Sequence, residues 1–375
     1  MSSTSLNKIA WNKFRKNNLS LFSLVFISCL IFLGVFAYLF IPDKTPMANQ
    51  MYLELALKKP GTKISFIQVP QKNEIKSDFF SDLFFGAPLK YTRTPIDSIS
   101  NIKGDPSYYK YNSQLKIKLP DNYTITESIF WFGTDRFGRD LLSRLIYGIR
   151  ISLSVGFISV IISLIIGILL GLLAGYYRGI IDSTIMWLVN VVWSIPTLLM
   201  VIAITLSLGK GFWQIFIAVG LTMWVEVARV VRGQVISARE LEYVQVGKIL
   251  GFNSFRIMFK HIMPNIIGPV IVISAANFAS AILIEAGLSF LGIGVQPPMP
   301  SWGGMIKDHY AYIIMDKAYL ALLPGLFIML TVLSFMLLGN GIRDAFDVKN
   351  LRLIIILKYY GIIFFCFNYF LFAIG

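Results

Sequence analysis

The side chains that could carry out chemistry are few in this chain, and they are not spaced for catalysis or metal binding. Its 375 residues include two histidines, His261 and His309, and two cysteines, Cys29 and Cys366. Neither histidine has a second metal ligand nearby in the sequence, and both cysteines lie in apolar runs, so neither a metal site nor a disulfide is expected. The phosphate-binding pattern G-x-x-x-x-G-K-[ST] does not occur in the sequence. We therefore expect no enzyme activity, no catalytic residue and no cofactor.

Two acidic residues are notable because they lie within apolar segments. Glu285 interrupts the run IVISAANFASAILIEAGLSFLG, where an ionised carboxylate costs about 3 kcal/mol by insertion scales. Glu285 is therefore predicted to face protein or water, either as a translocation-path residue or paired with a basic residue of this chain or a partner. Glu226 lies close to Arg229 and Arg232 in the sequence, near the predicted cytosolic end of its apolar segment, and local helix pairs with these arginines are favoured for it over binding of a substrate.

A cluster of charges precedes the second long apolar segment. Its members are Asp135, Arg136, Arg139, Asp140 and Arg144. One interpretation is an outer-mouth motif, made chiefly of Asp135, Arg139 and Asp140, that shapes a pore entrance or docks another protein. The other is a capped helix with ion pairs four residues apart, such as Asp140–Arg144 and Arg136–Asp140. The sequence leaves both open.

The polar segment with the strongest pattern is RELEYVQVGKILGFNSFRIMFKHIMPN, from Arg239 to Asn265. Apolar residues alternate with charges at helical spacing, Gly251 provides a break, and Pro264 provides a stop. The pattern predicts two short amphipathic helices around a glycine turn, with Gly251 in a left-handed conformation. Such a segment between two membrane helices is expected to dock on a protein in the cytosol.

Membrane helices must position these residues. The chain is 56% hydrophobic, above the roughly 45–50% of soluble proteins. Six segments are long enough to cross a hydrocarbon core about 30 Å thick. The predicted spans are Leu19–Ile41, Ile151–Tyr176, Ser183–Leu206, Phe212–Val231, Asn265–Leu291 and Tyr319–Gly341. The chain is therefore predicted to be a multi-pass membrane protein.

Basic residues orient the predicted spans. Lys8, Lys13, Arg15 and Lys16 precede the first span without an acidic residue among them, which predicts a cytosolic N-terminus. The same orientation puts the patterned loop in the cytosol. The net charge of +14 is then explained by inward-facing Lys and Arg next to anionic lipid, and nucleic acid is not an expected partner.

The predicted domains follow from this topology. Residues 1–42 form the cytosolic N-terminus and first span, 43–132 an extracytoplasmic insert, 133–347 the transmembrane core with its cytosolic loop at 232–264, and 348–375 an apolar tail. Within the insert, Lys63–Val69 and Gln114–Leu119 are predicted strands, and the segment from Thr45 to Pro60 a short helix. For the tail, an interfacial helix, a seventh span and an appendage all remain open.

Small residues recur along the second span. Gly167, Gly171, Gly175 and Gly179 are spaced four residues apart, so they are predicted to share one helix face that allows another helix to approach closely. This face is either ordinary packing or an interface that lines a pore.

Several sequence blocks occur in the order found in one permease family. They include the GTDRFGRDLLSR block at 133–144, GYYRG at 175–179, EAGLSFLG at 285–292, QPP at 296–298 and GNGIRDA at 339–345. Over roughly residues 133–347, together with the first span, the chain resembles the C-type permease subunit of dipeptide and oligopeptide ATP-binding-cassette importers. The Arg239–Asn265 segment resembles the EAA loop of these permeases, although Gln245 stands at the family's acidic position.

The resemblance implies a fold, partners and a role. The fold expected is an all-α polytopic membrane protein with a six-helix importer permease core and a small mixed extracytoplasmic insert. The expected partners are a second homologous permease, two cytosolic ATP-binding subunits and an extracytoplasmic peptide-binding protein, in the bacterial cytoplasmic (inner) membrane. The loop residues expected to couple to the ATPase are Glu242, Tyr243, Gln245, Gly247, Gly251, Phe255 and Pro264.

Two other functions remain open at this point. Related systems carry nickel chelates or other small solutes, so the substrate is not determined by the resemblance. A secondary transporter driven by an ion gradient would be independent of an ATPase, but that class usually needs ionisable residues at the membrane midplane and inverted repeats. The few buried charges and the docking loop favour the importer permease.

Overall fold

A computed structural model of the chain describes residues 6–71, 78–102, 105–113, 116–120, 122–209 and 211–346. The predicted tail at 348–375, including Cys366, lies outside the described residues.

Within these residues the chain is mostly helical. The helices are α1 (Leu6–Arg15), α2 (Asn18–Val35), α3 (Ala37–Phe40), α4 (Phe79–Phe85), α5 (Leu141–Tyr177), α6 (Gly179–Trp193), α7 (Thr197–Leu208), α8 (Phe212–Arg239), α9 (Glu242–Ile249), α10 (Ser254–Arg256), α11 (Ile267–Phe290), α12 (Trp302–His309) and α13 (Tyr319–Phe346). Five of them, α2, α5, α8, α11 and α13, are each long and apolar enough to cross a membrane. The polytopic helical architecture expected from the sequence is confirmed.

The predicted third span, Ser183–Leu206, is not a single helix. It consists of α6 and α7, which are bent by 88° relative to each other, so the described residues have six spans only if this pair counts as one. Pro196 explains the break, because proline has no N–H for the helix ladder and disfavours the helical conformation of Ile195 before it. The predicted span is therefore present as this bent pair rather than as one straight helix.

Glycines bring α5 and α8 into close contact. A Cβ atom on Gly171 would lie 2.7 Å from the carbonyl oxygen of Ala228, and Cβ atoms on Gly167 and Gly175 would come equally close to α8. Gly179 is not part of this face, since it follows α5 with a φ of +59° and has open space around it. The predicted glycine face therefore has three members, and it is packing within this chain.

A five-stranded sheet forms the predicted insert. Its strands are β1 (Thr62–Pro70), β2 (Tyr91–Ile102), β3 (Asp105–Lys110), β4 (Lys116–Lys118) and β5 (Thr124–Phe130). Their order is β4-β3-β2-β1-β5, and all neighbours are antiparallel. Ile64 and Phe66 pack on one face of β1 with Phe130, whereas Ile67 on the opposite face packs with Ile96. The predicted strand Lys63–Val69 is thus present as β1, and β4 lies within the other predicted strand.

The short helix predicted between Thr45 and Pro60 does not form. This segment contains two single 3₁₀ turns, Pro46–Ala48 and Leu53–Leu55. Its backbone instead forms a hydrogen bond to another part of the chain. The Leu57 amide donates to the carbonyl of Asp135 at 3.0 Å. Leu57 also has a φ of +59°, a left-handed conformation that ends a helix.

Candidate functional site

The Arg239–Asn265 loop is fastened to the ends of two membrane helices. Its side chains Val244, Ile257 and Ile262 are buried in one apolar cluster with Tyr176 of α5 and Val235 of α8. Because packed side chains resist relative displacement, a force applied to this loop is transmitted to α5 and α8.

The opposite side of the loop exposes an apolar ridge. We define the docking ridge as Val246, Ile249, Leu250 and Phe255, whose exposed fractions are 52%, 84%, 64% and 63%. Contiguous exposed apolar side chains surrounded by charges are typical of a protein interaction site. The loop therefore combines an anchored inner face with an outer face suited to a partner.

Gly251 forms the turn at the centre of the ridge. It has the predicted left-handed conformation, with a φ of +73°. Its amide donates to the Lys248 carbonyl, and the next amide, of Phe252, donates to the Gly247 carbonyl, both at 3.0 Å. These bonds satisfy carbonyls at the end of α9, as glycine-terminated helices commonly do. A Cβ atom on Gly251 would meet nothing within 4 Å, so the turn projects into open space.

Two polar side chains hold the loop internally. The amide Nε2 of Gln245 donates to the Arg239 carbonyl at 3.0 Å, at the end of α8. Asn265 Nδ2 donates to the Tyr243 hydroxyl at 3.0 Å. A carboxylate cannot donate such a bond, so the amide at position 245 has a structural use that an acidic residue would lack. Sequence reasoning did not identify this role.

The other residues expected to couple occupy different parts of the loop. Glu242 is exposed in the first turn of α9, where a negative charge complements the helix dipole. Gly247 is buried, and a Cβ atom there would contact Phe252 at 3.4 Å. Pro264 is exposed in the 3₁₀ turn Met263–Asn265 before α11.

The charged motif before α5 is folded inward. Asp135 is fully buried, and its Oδ1 accepts from the backbone amides of Phe137 and Arg139 at 2.8 and 2.9 Å. Its Oδ2 lies 2.6 Å from Arg139 Nε and 3.8 Å from Arg144 Nε. Asp135 is therefore the centre of a turn stabilised by two arginines.

The predicted ion pairs Asp140–Arg144 and Arg136–Asp140 do not form among the described residues. Arg136 instead lies 2.9 Å from Asp308 of α12. Asp140 is the N-cap of α5, and its side chain accepts from the Ser143 amide at 2.8 Å, which directs the carboxylate toward the helix rather than toward Arg144. Burial raises the pKa of Asp140 to about 6, although the hydrogen bonds from Ser143 oppose this shift.

The same motif joins the insert to the membrane helices. The Thr134 hydroxyl accepts from the Lys58 amide at 2.8 Å. Gly138 has a φ of +72°, and a Cβ atom there would lie 1.7 Å from the Tyr52 carbonyl oxygen. Asp140 and Arg139 are buried in this joint as well. In the sequence, the two glycines of GTDRFG, at 133 and 138, were the signal for a tight turn that the backbone of another segment approaches closely.

Glu285 is enclosed between helices. Its side chain has no exposed surface, and its Oε1 accepts from the Ser289 hydroxyl at 2.7 Å and its Oε2 from Ser152 of α5 at 3.4 Å. Ser289 Oγ also accepts from the Val295 amide at 3.1 Å. None of the ion pairs among the described residues involves Glu285. The alternative of a basic partner in this chain is therefore wrong for those residues, and serine hydroxyls take that place.

Glu226 does not pair with the two arginines that follow it on α8. The guanidinium of Arg229 lies 3.5 Å from the ring centroid of Trp193, and its Nη2 donates to Asn190 at 3.0 Å. Arg232 forms a bidentate pair with Asp182 of α6, with Nη2 2.6 Å from Oδ2. The prediction of local pairs for Glu226 was wrong, because both arginines bind the neighbouring helix α6 instead.

Histidines and cysteines do not assemble into a metal centre in the part of the chain that the structure describes, where no group of three or more metal-ligating side chains is found. His309 is buried, and its Nδ1 lies 2.7 Å from the Met305 carbonyl. His261 stacks on Phe252 within the loop, with ring centroids 5.6 Å apart. Cys29 is an exposed free thiol on α2.

Comparisons with protein families match two parts of the chain. Residues 167–351 match the family described as "binding-protein-dependent transport system inner membrane component". Residues 5–60 match the family described as "N-terminal TM domain of oligopeptide transport permease C". Residues 61–166, which include the whole sheet, lie between these two matches.

Several curated proteins are similar to this chain. The dipeptide transport system permease protein DppC of Bacillus subtilis is 42% identical over 222 residues, which cover 59% of this chain and 69% of that protein. The oligopeptide transport system permease protein OppC of Escherichia coli is 42% identical over 224 residues, covering 60% and 74%. The glutathione transport system permease protein GsiD of Pectobacterium atrosepticum is 40% identical over 222 residues, covering 59% and 73%.

Among solved structures, an inward-facing form of the MetNI methionine ABC transporter superposes with a TM-score of 0.46 at 18% identity. The superposition covers 55% of this chain and 98% of the transporter chain.

Proposed function

Because this chain belongs to the family of binding-protein-dependent transport system inner-membrane components, we propose that it forms half of the translocation pore of an ATP-binding-cassette importer for di- or oligopeptides. Relatives at about 40% identity are named for dipeptide, oligopeptide and glutathione transport, and short peptides are the chemistry these names share. A transporter driven by an ion gradient is not supported by this family membership.

The docking ridge on its anchored loop is the observation that supports the proposed coupling mechanism. We propose that the ridge inserts into a groove of a cytosolic ATP-binding subunit, with Ile249 and Leu250 at its tip and Gly251 forming the turn. When the ATPases close, the loop moves, and its buried face transmits this displacement to α5 and α8. The pore alternates its access as these helices move, and ATP is hydrolysed by the partner subunits rather than by this chain.

The remaining partners follow from the topology proposed for the chain. The basic N-terminus and the loop face the cytosol, so the insert at 43–132 with its sheet lies on the extracytoplasmic side of the inner membrane. There the insert, held to α5 by the motif around Asp135, Arg139 and Asp140, contributes to the outer mouth and to the surface on which a peptide-binding protein docks. A second homologous permease completes the pore.

The test of coupling is the variant Gly251→Asp. Its side chain would project from the turn, where there is open space in this chain but a groove wall in the complex. The charge and the left-handed strain, about 1 kcal/mol for a non-glycine residue, oppose insertion into the ATPase. We expect the variant to reach the membrane normally but to lose either the co-purifying ATPase or peptide-stimulated ATP hydrolysis.

The matched control is Gly61→Asp, a second left-handed glycine with a φ of +78° and nothing within 4 Å of its Cβ position. It carries the same strain and charge but lies in the insert, away from the loop, so it should retain the co-purifying ATPase. Lys248→Ala, at the border of the ridge, should have a milder effect, since peripheral charges mostly tune association. If Gly251→Asp retains both ATPase binding and stimulation at wild-type levels, this loop is not the coupling element.

A further inference from the structure

A cavity of about 320 Å³ lies where the broken third span meets α8 and α11. Trp193, Ile195 and Thr197 line it from the break between α6 and α7, and Ser280 lines it from α11. From α8 its wall includes Glu226. The break between α6 and α7, where the two helices are bent by 88°, thus forms part of the wall of a cavity that one acidic side chain also lines.

Glu226 is exposed at this cavity and is not neutralised within the described part of the chain. No hydrogen bond or ion pair is found for it there, while its closest arginines along α8 are engaged with Trp193 and with Asp182. Glu285 differs in both respects, since it is fully buried and accepts hydrogen bonds from serines. Only Glu226 of these two acidic residues has a carboxylate that a solute can reach without rearrangement.

The position of Glu226 along the membrane adds a constraint. It lies within the predicted fourth span, Phe212–Val231, five residues or about 8 Å from the cytosolic end of that span at 1.5 Å per residue. A carboxylate inside a span is disfavoured against lipid, and such residues face a water-filled path or a charged partner. The exposed side of Glu226 is therefore turned to the interior of the assembled transporter.

We propose that Glu226 lines the translocation path and recognises positively charged side chains of the transported peptide, namely those of lysine or arginine. This inference rests on the proposed function as a peptide importer and assigns a specificity-determining residue to it. The carboxylate offers attraction to a cation as it passes the break in the third span. The apolar and hydroxyl-bearing lining of the cavity tolerates different side chains, so the selection is by charge.

The experiment measures peptide uptake by the complete importer in proteoliposomes, with its binding protein present. The probes are Ala-Ala-Ala, Ala-Lys-Ala and Ala-Glu-Ala. For each variant the uptake of the charged peptides is divided by that of Ala-Ala-Ala and compared with the wild-type ratio. Because the binding protein is the same in every preparation, its own preference cancels in this comparison.

For Glu226→Gln we expect the relative uptake of Ala-Lys-Ala to fall about threefold, as for the loss of one partly exposed ion pair. For Glu226→Lys we expect the preference to invert toward Ala-Glu-Ala. The matched control is Glu240→Gln, which removes an exposed carboxylate just beyond the end of α8 that pairs with Arg178 at 3.0 Å. It should leave both ratios unchanged.

Unchanged ratios in both Glu226 variants would overturn the proposal. So would loss of the second permease from the purified Glu226→Gln complex, since the carboxylate would then be an interface partner. Failure of the wild-type importer to take up even Ala-Ala-Ala would instead count against the proposed function, which keeps the two failures distinguishable.

Discussion

Several single residues in this chain are important because they make room for, or form hydrogen bonds with, another segment of the chain. Gly138 leaves room for the Tyr52 carbonyl, which lies 1.7 Å from where its Cβ would stand. Glu285 accepts hydrogen bonds from Ser152, 133 residues away, and from Ser289 on its own helix. In both cases the residue type follows from a neighbour that the local sequence does not specify.

Replacement of Gly138 by alanine should destabilise the joint between the insert and α5. The methyl group would overlap the Tyr52 backbone, and the left-handed φ adds strain, so we expect a loss of about 3 kcal/mol or more. The measurement is the midpoint of thermal denaturation of the purified protein in detergent. Gly61→Ala is the control, because it has similar left-handed strain with open space around it and should cost only about 1 kcal/mol. Equal midpoints for the two variants would contradict the role of the close approach.

The two substitutions Glu285→Gln and Glu285→Leu should differ in severity. Glutamine keeps a polar group facing Ser152 and Ser289, so we expect the variant to fold and insert but to transport more slowly. Leucine leaves buried hydroxyls unsatisfied, at a cost of about 1–3 kcal/mol, and should reduce the yield of folded protein. Size-exclusion profiles and peptide uptake separate these effects. Wild-type uptake by Glu285→Gln at normal expression would remove Glu285 from the transport mechanism.

At the scale of elements, the closest helix pair is α5 with α8. The glycines of α5 let its backbone approach α8, and the loop that follows α8 packs back on both helices through Val244 and Ile257. The loop that carries the docking ridge is consequently packed on this closely approaching helix pair. Coupling by this route requires that α5 and α8 move as one body.

Gly171→Ala should weaken this helix pair. The added Cβ would lie 2.7 Å from a backbone oxygen of α8, and overpacking of this kind costs about 1–3 kcal/mol. Gly287→Ala is the matched control on α11, since nothing lies within 4 Å of its Cβ position; there alanine should be neutral or stabilising by up to about 1 kcal/mol. Thermal denaturation measures both variants, and a stabilised Gly171→Ala would contradict the close packing.

At the scale of the whole molecule, the sheet and the docking ridge are joined to different parts of the helical core. The sheet is attached at the start of α5 through Thr134, and the loop that carries the ridge packs near the other end of the same helix, around Tyr176. Since α5 has 37 residues, about 55 Å at 1.5 Å per residue, these two attachments are separated by more than the thickness of a bilayer of about 40–45 Å. This separation supports our proposal that the two features lie on opposite sides of the membrane.

Cysteine labelling in intact cells tests this orientation. In a background in which Cys29 and Cys366 are replaced by alanine, Lys63→Cys at the start of β1 and Lys260→Cys in the loop both offer exposed positions. Once the outer membrane is opened, a reagent that cannot cross the inner membrane should label position 63. Position 260 should be labelled only after the inner membrane is permeabilised as well. The reverse pattern would invert the proposed topology.

The amino-acid sequence by itself determined the membrane class, the approximate spans, the patterned loop with its left-handed glycine, and the family. These depend on local signals: apolar runs as long as a bilayer is thick, helical spacing, and ordered sequence blocks. The strand at 62–70 was predictable for the same reason, because β-branched and aromatic alternation is local.

Only the tertiary structure decided which charges meet and which carboxylate stays accessible. Arg136 pairs with Asp308 and Arg232 with Asp182, although each has an acidic residue closer along the chain. An ion pair forms where two helices bring opposite charges within reach, and sequence spacing reports that distance only inside one helix. Sequence spacing also does not show which acidic side chain is accessible, and the sequence therefore favoured Glu285 over Glu226 as the residue that lines the translocation path. Burial depends on packing between α5, α8, α11 and the bend at Pro196, which residues far apart in the sequence create together.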